Sequence, residues 1–353
     1  MTEAWRSLVD IETLANWMCG QGLGGAPILN PRALTGGTQN VLVAFERGGV
    51  AMVLRRPPVH AQTDGEVVIK REARLLAALR ATDVPHPRFV AGCSDPAVLG
   101  ASFYVMEEVA GYNAHAALPP PFDAEPALRR HMGLALVDCI ASLGRLDYVA
   151  IGLGDFGKLD GFLERQVARW RKQLDGYTRY SGWEGPAALG NIDRVGDWLD
   201  RNRPAYQPPG IIHGDVHLAN VLYRFDAPEV AALVDWELAT IGDPLIDLGW
   251  LLCHWPDANG DGVATTGAKP WHGFPSASEL VVRYAETSRR DVSAINWYAV
   301  LACYKRAVII EGTHARALAG LADMATGRLL HSRAVGLIER AFRFIAHQGR
   351  LHQ

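Results

Sequence analysis

The spacing of apolar positions along the chain changes period twice. Residues 3–20 repeat at helical spacing and predict an amphipathic helix, broken by the glycines of 20–25. From residue 28 the pattern shortens to β-prone runs at 28–34, 40–45 and 50–55, separated by Thr35-Gly-Gly-Thr-Gln39 and Arg47-Gly-Gly49. This predicts strand, glycine turn, strand, Gly-Gly hairpin, strand. Thr63 or Asp64 can cap a helix that runs to about residue 82 and ends before Pro85, with Val68, Leu75, Leu76 and Leu79 as its apolar stripe. Two further strands are predicted at 89–93 and 102–105. From residue 112 the period becomes helical again, with helices expected over 128–146, 162–174, 192–203, 276–288, 292–318 and 320–348. The pattern predicts an α+β protein: a small antiparallel sheet in residues 1–108 and a larger, mostly helical part in 109–353.

Residues 210–250 interrupt the helical part. The runs 221–225 and 230–234 flank Asp226-Ala-Pro-Glu229 and read as a hairpin. Counting outward from the turn, Phe225 faces Val230 and Asn220 faces Asp235. An amide oxygen beside a carboxylate is a hard-oxygen pair suited to Mg²⁺. Asp215, five residues before Asn220, follows the apolar run 210–212 and would be aimed at this pair from its loop. Asp243 and Pro244 suit the start of a helix over 245–252 that is apolar nearly all round, hence buried. Asp247 lies inside that helix, and a buried carboxylate requires hydrogen bonds or a cation. The N-terminal part carries a comparable demand. Glu72 falls within the inward stripe of its helix and calls for a cation; Arg55 is the candidate, with Arg56 on the opposite strand face.

Composition narrows the classes. The chain has 353 residues, 49% of them hydrophobic, enough for two substantial cores. A net charge of −3 disfavours a nucleic-acid surface. The five cysteines lack metal-ligand spacing and fit reduced thiols in the cytoplasm. The first ten residues lack the apolar stretch of a signal peptide, and the apolar run 297–303 is too short for a bilayer and meets Lys305 and Arg306. A small-molecule partner is expected, without nucleic acid or membrane.

His213-Gly-Asp215-x4-Asn220, then Val234-Asp-Trp-Glu237, then Gly242-Asp-Pro-x2-Asp247 resemble the aminoglycoside phosphotransferase (APH) family, relatives of the protein kinases. The resemblance implies a protein-kinase-like two-lobed fold and ATP- and Mg-dependent phosphorylation of a hydroxyl on a small molecule. It implies that Asp215 accepts or orients the hydroxyl proton and that Asn220 and Asp235 hold Mg²⁺. Arg55, oriented by Glu72, would grip the α/β-phosphates. His213 would brace the loop, and Asp247 would bond its backbone. Backbone N–H groups at Gly36, Gly37 and Thr38 would cover the phosphates, and adenine would meet the carbonyl of Glu107 and the N–H of Val109. Arg55 departs from the kinase pattern, which has lysine there; arginine offers a planar fork in place of a point charge. Val53-Leu-Arg-Arg-Pro-Pro58, Gly152-Leu-Gly-Asp-Phe-Gly157 and Phe162-Leu-Glu-Arg-Gln166 are most similar to kinase-like domains associated with acyl-CoA dehydrogenases. That implies a hydroxyacyl-CoA or related acid as acceptor. Lys305, Arg306, Glu311 and His314 are acceptor-site candidates, as is the basic face Arg165, Arg169 and Lys172, and the loop 256–275 is a candidate lid. Two other readings stand beside this one. His213, Asp215 and His217 could ligate a metal in a hydrolase, or the arginine at 55 could mark a catalytically weak nucleotide-binding module.

Overall fold

The computed structural model describes residues 4–34, 40–58, 64–115, 117–205, 207–257, 259–260, 262 and 268–346. Two compact units divide the chain: Met1–Gly111 with Ile151–Leu153 and Ala231–Glu237, and Tyr112–Ala150 with Gly154–Val230 and Leu238–Gln353.

The first unit is built on a five-stranded antiparallel sheet. Its elements are α1 (Ile11–Gly20), β1 (Ile28–Ala33), β2 (Val41–Arg47), β3 (Val50–Arg56), α2 (Asp64–Leu79), β4 (Phe89–Cys93), α3 (Pro96–Leu99) and β5 (Phe103–Glu107), with strand order β1-β2-β3-β5-β4. Gly48 and Gly49 join β2 to β3 with φ of 59° and 80°, the left-handed pair that a two-residue hairpin turn needs. The expected helix over 3–20 is interrupted. Ala4–Ser7 form a 3-10 turn, and the Asp10 carboxylate accepts the Thr13 N–H (2.7 Å) to start α1 anew. A side-chain cap of this kind resets the chain direction whatever the apolar period outside it. One sheet face, with Val43, Phe45, Met52, Leu54, Phe103 and Val105, packs with Trp5, Leu14 and Met18. Strand alternation then separates the neighbouring arginines. Arg56 turns to this face and donates to the carbonyls of Leu8 and Leu99, while Arg55 turns to the other and meets Glu72 of α2.

The second unit is mainly helical. Its elements are β6 (Tyr112–Asn113), α4 (Pro126–Arg145), α5 (Glu164–Asp175), α6 (Ile192–Arg201), β7 (Gly210–Ile212), β8 (Val221–Tyr223), β10 (Thr240–Gly242), α7 (Leu245–His254), α8 (Ala277–Ser288), α9 (Ile295–Leu318) and α10 (Met324–Ala346), while β9 (Val230–Leu233) leads the chain into the 231–237 segment of the first unit. The turn after β8 differs from the expected register. Arg224 N–H donates to the Glu229 carbonyl (3.0 Å), so Arg224 opposes Glu229 and residues 225–228 form the loop. Pro228 has no N–H to donate, and Asp226 folds back onto Arg224 through two 2.9 Å hydrogen bonds, which favours this placement of the four-residue loop. The turn therefore sits one residue earlier than the count outward from 226–229 expects. β10 pairs antiparallel with β7, Thr240 opposite Ile212 and Gly242 opposite Gly210; three residues are too few to register as a pattern. α7 is buried along nearly its whole length, as its all-round apolar sequence requires. No helix among the described residues is long and apolar enough to cross a membrane.

Candidate active site

In the second unit, the loop after β7 is anchored from α7. The Asp247 carboxylate accepts the His213 N–H at Oδ2 (2.7 Å) and the Gly214 N–H at Oδ1 (2.8 Å). Gly214 has φ of 86°, and a Cβ there would stand 2.7 Å from the Leu238 carbonyl oxygen, so only glycine fits. His213 is wholly buried and its Nδ1 accepts the Asp215 N–H (3.3 Å). Burial pushes the Asp247 carboxyl up to about 6, against the two backbone hydrogen bonds and the charge of Lys305 that pull it down.

These bonds present Asp215, whose two oxygens are held separately. Oδ1 accepts Trp250 Nε1–H (2.9 Å) and lies 3.5 Å from His217 Nε2. Oδ2 accepts the Asn220 amide (3.0 Å), and the same Asn220 nitrogen donates to the Asp215 carbonyl (3.0 Å). Burial alone would raise the Asp215 pKa, but the hydrogen bond and charge of His217, with His213 behind it, outweigh burial and bring it to about 2. The carboxylate is therefore ionised across the neutral range. With its nitrogen committed twice, Asn220 has its amide oxygen left as a cation ligand. Asn113 fixes this turn by donating to the carbonyls of Ala219 (2.6 Å) and Val221 (3.2 Å).

A second layer supports Trp250. Lys305 Nζ stands 4.2 Å from the centre of the Trp250 ring and donates to the Gly214 carbonyl (3.3 Å). His254 donates from Nδ1 to the Trp250 carbonyl (2.8 Å) and accepts Arg306 at Nε2. Burial and the Arg306 charge hold the His254 pKa well below its ordinary value, so the ring is neutral.

The first unit carries a different cluster. Arg55 Nη2 donates to Glu72 Oε1 (2.9 Å) and Asp235 Oδ1 (2.8 Å), and lies 3.6 Å from Glu237 Oε2. Tyr104 donates to Glu72 Oε2 (3.2 Å) and Asn40 to Glu237 (3.5 Å). Burial opposes the Arg55 charge, but Glu72, Tyr104 and Asp235 raise its pKa beyond the usual arginine range. Burial pushes Glu72 up to about 7, partly offset by Arg55. Asp235 has φ of 67°, a left-handed conformation rare for a non-glycine residue and concentrated at functional sites. Ligand oxygens of Glu72, Asp235 and Glu237 all lie within 4.8 Å of one another. Three carboxylates around one guanidinium leave excess negative charge that a divalent cation would neutralise, so these residues fit Mg²⁺.

Several expected site residues are thus brought together: Arg55 with Glu72 and Asp235, and Asp215 with Asn220 and His213. Gly36, Gly37 and Thr38 lie outside the described residues. Glu107 closes β5, its N–H donating to the Arg88 carbonyl (2.9 Å), and Val109 follows two residues on in irregular chain. His213, Asp215 and His217 are not among the described groupings whose ligand atoms converge, because the His213 Nδ1 is turned onto the Asp215 backbone. Pattern reading missed Trp250 and Glu237. Trp250 lies within an apolar helix and looks like core, and its one signal is the i+3 spacing from Asp247. Glu237 sits two residues after Asp235 across a 3-10 turn (Trp236–Leu238), a spacing without a characteristic period.

A model of the phosphotransferase enzyme family (APH) matches residues 31–280. The chain belongs to that family. A putative aminoglycoside phosphotransferase from Ralstonia eutropha JMP134 is similar over 97% of this chain and 99% of its own, at 28% identity and a TM-score of 0.80. Aminoglycoside 2'-phosphotransferase-IIIa, solved with GDP, shares the kinase-like fold at 14% identity and a TM-score of 0.62, over 92% of this chain and 99% of its own. Among curated relatives, a probable acyl-CoA dehydrogenase of Arabidopsis thaliana is 30% identical over 84% of this chain and 37% of its own length. Acyl-CoA dehydrogenase family member 11 of Homo sapiens is 31% identical over 80% of this chain and 36% of its own. This phosphotransferase thus spans little more than a third of the curated relatives it matches.

Proposed function

We propose that this enzyme uses Mg·ATP to phosphorylate a hydroxyl group on a small acid, with a hydroxyacyl-CoA or a related hydroxy acid as acceptor. The observation that carries the reading is Asp215, ionised and oriented by three separate side chains, Trp250, Asn220 and His217. A carboxylate with a pKa near 2 is a weak base. Its contribution is to orient the acceptor hydroxyl and to take the proton late, once bonding to phosphorus has made the oxygen acidic. Asn220, through its amide oxygen, and Asp235, with Glu237 beside it, would hold Mg²⁺. The metal would screen charge on the transferring phosphoryl group. Arg55, fixed by Glu72, would contact nucleotide phosphate with the donors left over from its carboxylate partners, and Glu107 and Val109 would offer backbone groups to the base. Support for an acidic acceptor comes from the cations Lys305 and Arg306 that border the Asp215 loop, and from relatives whose names carry acyl-CoA chemistry.

The test is ADP release with a panel of hydroxyacyl-CoAs, free hydroxy acids and aminoglycosides. Turnover should be stimulated by the acidic classes, require Mg²⁺, and fall by about 10²–10⁴-fold in Asp215→Ala. Stimulation by aminoglycosides alone would overturn the acceptor assignment. Asp215→Ala at wild-type rate would overturn the mechanism.

A further inference from the structure

A second cluster of chemistry-bearing side chains lies on α9 and α10 and takes in Glu311 and His314, two of the expected acceptor-site residues. Glu311 and His314 are three residues apart on α9 and share one face of that helix. His331 meets them from α10, its Nδ1 2.8 Å from Glu311 Oε2. The His314 and His331 rings have centroids 4.4 Å apart, and ligand atoms of all three residues lie within 4.8 Å of one another. Gly327 permits this approach. It lies one turn before His331, and a Cβ there would be 2.5 Å from the Ala317 Cβ and 3.4 Å from the His314 Cα.

Three features separate this cluster from an ordinary ion pair. Glu311 is fully buried, and a Glu311–His331 pair accounts for one imidazole only. The His314 Nδ1 is closed to solvent and has no hydrogen-bond partner among the described residues. The second Glu311 oxygen accepts Trp183 Nε1–H (2.8 Å), an arrangement that orients a ligating carboxylate from outside. We propose that Glu311, His314 and His331 bind one divalent transition-metal ion of the zinc type, with the remaining coordination position open to water or an exogenous ligand.

The donor set suits such an ion. Two imidazoles and a carboxylate are ligands for Zn²⁺ rather than for Mg²⁺, which prefers oxygen alone. Two metal bonds of about 2.0 Å at a tetrahedral angle hold their ligand atoms roughly 3.3 Å apart. The 2.8 Å contact between Glu311 and His331 therefore needs to open by only a few tenths of an ångström. His331 retains 26% side-chain exposure and provides an entry route. The bound ion would tie α9 to α10 and, through Trp183, to the loop between Tyr180 and Pro186.

The experiment uses untagged protein stripped with chelator and re-equilibrated with Zn²⁺ or Co²⁺. One equivalent per chain should remain after desalting, and the Co²⁺ form should show visible d–d absorption. His314→Ala and His331→Ala should each weaken binding by at least about tenfold, while His272→Ala should leave it unchanged. X-ray absorption of the zinc-loaded wild type needs no variant; it should report two imidazoles completed by oxygen. Wild-type protein that retains no stoichiometric metal, an unchanged affinity in folded His314→Ala/His331→Ala, or a shell with sulfur or a single imidazole would each overturn the assignment.

Discussion

Asp247→Asn separates the stability of this protein from its activity. In the wild type the carboxylate accepts two backbone N–H groups of the Asp215 loop while buried. Its pKa stands at about 6 against an ordinary 3.8, which corresponds to about 3 kcal/mol of unfavourable ionisation. The sign follows from proton binding. The folded state holds this proton more tightly than the unfolded chain, so the group's contribution to stability is fully present below about pH 4 and lost as pH rises through about 6. Activity runs the other way, since only the ionised form accepts both N–H groups with full strength. Asparagine removes the ionisation cost but offers one acceptor where the loop has two donors. The lost charge-assisted hydrogen bond is worth about 1.5–3 kcal/mol. The two effects nearly cancel in urea unfolding at neutral pH. In catalysis there is no such cancellation, and the same 1.5–3 kcal/mol, expressed as misplacement of Asp215, predicts a loss of about 10- to 150-fold in kcat. The assay is ADP release under saturating Mg·ATP across about pH 5–9, with urea unfolding in parallel. Wild type should show an acid limb near 6 that Asp247→Asn lacks. A variant with wild-type kcat, or with the acid limb retained, would refute the argument.

Two further perturbations test the layers around this loop and the Arg55 cluster. Arg55→Met leaves the Glu72 carboxylate buried without its cation and should cost about 3–5 kcal/mol in urea unfolding. Arg55→Met/Glu72→Gln should recover most of that loss, and Arg55→Lys should keep stability while raising the KM for nucleotide. Lys305→Met removes the ammonium over Trp250 and should lower kcat by about two- to thirtyfold, from a cation–π contact of about 0.5–2 kcal/mol. Burial holds Lys305 down to about 8, so the wild-type pH–rate profile should fall above that pH as the cation is lost, and the variant should lack this limb.

The parts legible in the sequence were those written in local rules. Alternation along β3 was enough to put Arg55 and Arg56 on opposite faces, and helical spacing was enough to turn Glu72 inward. The mixed α+β architecture followed from the change of period. What failed left no mark on the apolar period. The register at the hairpin turned on Asp226 folding back to Arg224, a local bond with no periodic signature. Trp250 contributes through a single indole N–H, and hydrophobic patterning cannot tell a buried indole whose N–H has found a carboxylate from one that has not. His217, which adjusts the charge state of Asp215, meets His254 because α7 returns beneath the loop.

The two clusters have opposite electrostatic character, and that contrast bears on the acceptor. Around Arg55, three carboxylates share one cation, a balance that favours recruitment of a divalent metal. Around Asp215, that carboxylate and the buried Asp247 are bordered by His217, Lys305 and Arg306. A polycationic acceptor gains from an acidic wall and is repelled by ammonium and guanidinium groups at Coulomb energies of several kcal/mol at contact distance. An acceptor with a carboxylate or phosphate near its reacting hydroxyl meets the reverse. Neutralising Lys305 should therefore weaken turnover of acidic acceptors more than turnover of neutral alcohols, beyond the common kcat loss expected from disturbing Trp250. Equal losses for both classes would assign Lys305 to loop support alone, and the acid preference would then have to come from elsewhere in the helical unit.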